Sequence, residues 1–191
     1  ILISIVFLLI ATSSFAVSFE GKFMQGSFIL GKTTPGSEVF IDKKKVKVTS
    51  DGYFAFGLSR DRKNDVAITI NNKKIIKKVF KRKYKIQRID GLEEKKVTPP
   101  EEVYERIKRE NKWIGEARAI NSDLSHFKKK FISPLENAII TGVYGSQRIL
   151  NGKPKWPHYG IDFAADEGTE IKAMLDGIVT MAEPDLFYTG G

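Results

Sequence analysis

Across residues 19–92 the chain is cut by turn dipeptides into apolar segments too short to be helices. Pro35-Gly36, Asp51-Gly52 and Asn71-Asn72 are the punctuation, and each such pair favours a reversal of the backbone. Residues 37–41 and 45–48 flank a further turn at Asp42-Lys43-Lys44. In the second of these segments Val46 and Val48 alternate with Lys45 and Lys47, the period of a half-buried strand. Residues 53–57, residues 66–70 and a stretch near 75–80 repeat the signal. Short strands at this spacing predict a small β-sandwich over residues 17–92. Asp42, Asp51, Asp61 and Asp65 fall at its turns, where Asp caps or bends the backbone. No catalytic constellation is visible there.

The period changes after a polar stretch at 91–98. Thr98 can cap a helix, Pro99 suits its first position and Glu101 completes a capping box. Val103, Ile107, Ile114 and Ala117 then recur at helical spacing to about Ile120, with Glu and Lys between them. This predicts a helical linker over residues 93–132, lying on one of its flanking units. Strand signals return at 138–141, 160–164, 170–173 and 177–181, separated by glycines and by Asp166-Glu167-Gly168. Asp166, Glu167 and Asp176 stand beside glycines, which favours turn roles over general-base roles. The expected fold class is mainly β, with a second β-rich unit over residues 133–191.

Residues 1–11 are a continuous apolar run followed by Thr12-Ser-Ser-Phe-Ala16. The run reads as the apolar region of a secretory signal over residues 1–16, with a small-residue cleavage site and without its charged start. A buried strand or a short membrane anchor is the alternative. Export to a periplasm or cell envelope is therefore expected, with no membrane span after cleavage. The chain has no cysteine, which excludes thiolate nucleophiles and cysteine-ligated zinc. Its net charge of +9 is uneven, with residues 73–96 dense in Lys and Arg. A solvated strand face is the plain reading of that stretch. Attraction to an anionic envelope surface is the functional one, and it would weaken with salt. A nucleic-acid partner is not expected, given the export signal and the lack of a binding motif.

The chain contains two histidines. His126 lies among Leu124, Phe127 and Phe131 and reads as a surface or capping residue. His158 is followed by Gly160 and Asp162. On a strand these three share a face, so imidazole and carboxylate could reach one point over a glycine that adds no side chain. Both are zinc ligands, and a catalytic zinc takes three protein ligands and keeps one position open. A His–Asp hydrogen bond within a sheet is the alternative, and spacing alone does not decide between them.

The surrounding text adds a resemblance. Gly142-Val-Tyr-Gly-Ser-Gln-Arg148-Ile-Leu-Asn151-Gly, then Pro157-His158-Tyr159-Gly160-Ile-Asp162-Phe-Ala-Ala, then Gly168-Thr169-Glu-Ile-Lys-Ala173 and Asp176-Gly177-Ile-Val resemble a lysostaphin/LytM-type zinc metallopeptidase from about Leu135 onward. The upstream layout is similar to Gram-negative periplasmic members, in which a signal, a small β-domain and a helical linker precede the peptidase domain. The resemblance implies that His158 and Asp162 are ligands of one catalytic Zn2+. It implies a third ligand and an assisting histidine from a later His-x-His motif, so the chain, ending at Gly191, is expected to hold an incomplete site with no catalytic residue of its own. The implied substrate is peptidoglycan, cut at amide bonds of its cross-linking peptides. Tyr159, Arg148, Asn151 and Trp156 are then candidate groove residues. The alternative from another class is a non-catalytic LytM-like module that binds or activates a wall amidase.

Overall fold

The structure is a computed structural model that describes residues 17–190; the expected signal at 1–16 lies outside them. The first seven strands are β1 (Ser18–Glu20), β2 (Phe28–Lys32), β3 (Val39–Ile41), β4 (Lys44–Val46), β5 (Tyr53–Gly57), β6 (Val66–Ile70) and β7 (Lys73–Lys77). They form two antiparallel sheets, ordered β1-β2-β5 and β4-β3-β6-β7. Alternation decides which face turns inward. Val66, Ile68 and Ile70 of β6 are buried while Ala67 and Thr69 are only partly so, and Phe54 and Phe56 of β5 behave alike. With Ile29, Val39, Ile41 and Leu58 these residues make one core between the sheets. Each large side chain fully buried there contributes about 1.5–3 kcal/mol. The expected sandwich is thus present.

Its hairpins are set by local turn chemistry. Asp42 and Lys43 join β3 to β4 with φ of 49° and 70°, and Asn71 and Asn72 join β6 to β7 with 45° and 67°. Positive φ at both central residues matches the right-handed twist of the flanking strands. Asp42 Oδ1 also accepts the Ala67 amide and a contact from the Arg62 guanidinium. At Gly31 a side chain is excluded for a different reason: its Cβ would overlap the Phe54 ring, which lies across the glycine from the facing strand.

The remaining elements are β8 (Ile86–Ile89), α1 (Glu94–Val97), α2 (Tyr104–Ala119), β9 (Ile139–Gly142), β10 (Gln147–Leu150), β11 (Lys153–Pro154) and β12 (Asp162–Ala164). Strand content of 29% against 14% helix makes the fold mainly β. β8 lies in the stretch expected to belong to the sandwich, yet it pairs in parallel with β10 in a sheet ordered β11-β10-β8. β9 and β12 form a separate antiparallel pair.

Three local expectations are corrected. The capping box does not form, because Thr98 closes α1, its amide donating to the Glu94 carbonyl. A 3₁₀ turn at Glu101–Val103 precedes α2, and neither start carries a side-chain cap. Residues 170–173 and 177–181 form no strand. They have no ladder partner among the described residues, and Ile171, Ile178 and Val179 stand exposed. Lastly, β12 begins only at Asp162, leaving His158 in the loop before it.

The helix α2 does lie on a neighbouring segment. Its one buried residue is Glu110, which takes a hydrogen bond from Arg106 Nε at 2.6 Å and another from the Phe187 amide at 2.8 Å. Among the described residues no helix is long and apolar enough to cross a membrane.

Candidate metal half-site

His158 is held by its backbone rather than by membership of a strand. Its amide donates to the Ser146 carbonyl at 2.8 Å, and its carbonyl accepts the Gly145 amide at 2.7 Å. The chain bends at Gly160, and the pairing of β12 with β9 shifts register between Asp162 and Phe163. These irregularities replace the regular strand that the spacing predicts, and they still bring the two side chains together. His158 Nε2 lies 3.0 Å from Asp162 Oδ1.

The other oxygen of that carboxylate is also engaged. Arg148 Nη2, on β10, donates to Asp162 Oδ2 at 2.6 Å. A charge-assisted bond of this kind fixes the carboxylate's orientation. Gly142 completes the enclosure from β9. A Cβ there would overlap Asp162 Oδ2 and stand 3.1 Å from His158 Cε1. Only a glycine lets the strand backbone come this close to both groups. The imidazole is well covered, its side chain 11% exposed, whereas Asp162 is open on one side at 45%.

Three buried side-chain polar atoms lack a partner among the described residues: His158 Nδ1, Arg148 Nε and Gln87 Oε1. Gln87 sits opposite Arg148 in the β8–β10 pairing, so all three orphans belong to one neighbourhood. Buried polar atoms without partners are costly, and their concentration here sets this region apart from the fully packed sandwich core.

The donor chemistry suits a cation such as zinc only in part. Nitrogen and carboxylate oxygen 3.0 Å apart are close to the ~3.3 Å separating two donor atoms at ~2.0 Å around a tetrahedral zinc. A ligating histidine, however, usually passes its other N–H to an acceptor, and His158 Nδ1 has none. No group of three or more His, Asp or Glu residues that could hold a metal comes together among the described residues. The pair supplies two candidate donors.

The other sequence candidates are placed as follows. Asn151 occupies a tight turn at φ 47° between β10 and β11, and its amide grips Leu92 through both ends, accepting at 3.1 Å and donating at 2.7 Å. That use ties it to the turn. Trp156 is 83% exposed just before His158. Tyr159 is exposed too, its ring meeting Tyr144 edge-on at 6.2 Å. His126 lies apart, 3.7 Å from Asp176, whose carboxylate is held by Lys129. Gly142 appears in the sequence as one glycine among several. Gln87 carries no sequence signal at all, because its place depends on a pairing between segments some sixty residues apart.

Comparison with known proteins finds no matching family model and no matching curated protein. The chemistry of this site therefore rests on its own geometry.

Proposed function

We propose that this chain carries part of a zinc-dependent endopeptidase acting on amide bonds in the cross-linking peptides of peptidoglycan. The observation that carries the reading is the convergence of His158 Nε2 and Asp162 Oδ1 at 3.0 Å, with Arg148 on the carboxylate's far oxygen. His158 and Asp162 would hold the ion. Zinc, when bound, supplies Lewis-acid polarisation of a peptide carbonyl and acidifies water.

The chain's own residues have separate tasks in this reading. Arg148 keeps the Asp162 carboxylate aimed. Gly142 leaves room for both ligands. Trp156 and Tyr159, which flank His158 in the chain, offer exposed aromatic surface on which a peptide strand can lie. The reading also requires a third ligand and an assisting histidine, and this sequence contains no His-x-His. Localisation in a periplasm or cell envelope accompanies the reading, as does contact with an anionic surface through the basic stretch near β7.

The test is hydrolysis of purified sacculi. In a longer protein that contains a His-x-His motif downstream, His158→Ala or Asp162→Ala should each abolish peptide release while the circular dichroism spectrum is retained. Undiminished turnover in either variant would show the pair to be structural. The chain of 191 residues alone should release nothing, and robust activity from it would contradict the need for a third ligand. If the longer protein is inert on sacculi but stimulates a wall amidase, the non-catalytic module is the correct reading.

A further inference from the structure

We infer that Arg60, a residue of the β-sandwich, is a positioning residue for His158 and acts through the backbone of Gly145. Three groups converge on that glycine. Arg60 Nε donates to the Gly145 carbonyl at 2.7 Å, from a side chain that is only 12% exposed. The Gly145 amide donates to the His158 carbonyl at 2.7 Å. The Tyr84 ring covers the glycine's remaining side so closely that a Cβ would overlap it, and φ at Gly145 is +87°. The peptide units on either side of this residue are thus fixed, one by the sandwich and one by the histidine loop.

Tyr84 links the same parts a second time. The Arg60 guanidinium lies over its ring at 4.5 Å, and its hydroxyl donates to the Arg60 carbonyl at 3.2 Å. Burial raises the Tyr84 pKa above that of a free tyrosine, so the hydroxyl stays a donor across the physiological range. Gly26 of the sandwich provides the space, since a Cβ there would stand 2.8 Å from both the Tyr84 hydroxyl and the Tyr144 ring. Tyr144 in turn meets Tyr159, the residue after His158. The sandwich is accordingly part of the frame that orients the half-site, beyond any role in contacting an envelope. A planar guanidinium suits this task because it stacks on an aromatic face while donating in its own plane.

The inference rests on the reading of His158 as a functional residue only for its consequence in metal binding. Its structural content is measured separately, by amide hydrogen exchange in the 191-residue protein. Arg60→Ala should speed exchange at the Gly145 and His158 amides about five- to tenfold and leave Ile68, in the sandwich core, unchanged. Arg60→Lys, which keeps the charge without the stacked fork, should fall between. Zinc alone, titrated into the same variants, should bind several-fold more weakly in Arg60→Ala. Unchanged exchange at Gly145 and His158 in a folded Arg60→Ala would overturn the proposal. If that variant does not fold, Tyr84→Phe keeps the ring and removes only the hydroxyl bond, and it should still raise exchange at the same two amides; no rise there would equally overturn it. Should zinc binding require His158 yet ignore Arg60, the proposal fails and the half-site stands. Should exchange respond while His158→Ala binds zinc as well as the parent, the half-site fails and the positioning stands.

Discussion

Gly142 and Asp162 face each other across the β9–β12 pair so closely that a methyl group on Gly142 would overlap the carboxylate Oδ2. That oxygen is held by Arg148, so it cannot simply swing aside. Gly142→Ala should displace Asp162 from His158 without unfolding the protein. On the proposed zinc reading, affinity for the ion should fall about 10–100-fold, the usual cost of disturbing groups that orient metal ligands, while the melting temperature moves little. Calorimetric titration beside a thermal melt separates the two effects.

The sandwich core should respond in the opposite way. Phe54 is fully buried and lies across Gly31. Phe54→Ala should cost about 3–5 kcal/mol by leaving a cavity. Chemical denaturation would show the loss, and the midpoint should shift with little change in slope.

Sandwich and linker are joined by exposed ion pairs whose behaviour with pH has a definite sign. Lys128 donates to Asp51 at 2.7 Å, and Lys47 bonds Asp123. Both carboxyls are held below the ordinary 3.8, Asp51 by the Lys128 hydrogen bond first and Asp123 by that of Lys47. A depressed folded-state pKa contributes stability that is complete above the unfolded value and is lost as pH falls through the folded one. Residues 122–128 should therefore loosen from the sandwich below about pH 4, and high salt near neutral pH should imitate part of the effect. Hydrogen exchange over 122–128 is the measurement. Because each pair is solvent-exposed, the response should be local and should not extend to global unfolding.

What could be read in the sequence was what depends on neighbours in the chain. The turns at Asp42-Lys43 and Asn71-Asn72, and the alternation of Val66, Ile68 and Ile70, are local, and the hairpins they predict are present. Thr98 misled because it suits a helix start as well as it suits the close of α1. The parallel pairing of β8 with β10 left no mark, since strands so far apart share no pattern. His158 and Asp162 were found by spacing, but the reason they meet was not: a bend at Gly160 and a register shift at Asp162 do the work assigned to a regular strand. Arg148 reads in the sequence as a candidate groove residue, and its bond to Asp162 has no local signal because fourteen residues separate the two.

No acidic residue stands between Lys73 and Arg88. Lys74, Lys78, Lys81 and Lys83 are exposed on or beyond the edge strand β7. Edge lysines also guard against strand pairing, so a binding role needs its own test. Retention on anionic wall material should fall steeply as salt rises, and replacing these four lysines by glutamine should remove it. Salt-independent retention would assign the contact to other residues.

The metal half-site is tested most directly by titrating zinc into the 191-residue protein and following the imidazole NMR signals of its two histidines. Binding should be weak and should move His158 while leaving His126 in place, and it should vanish in both His158→Ala and Asp162→Ala. Zinc that binds those variants as well as the parent, or that moves His126 in preference to His158, would contradict the half-site.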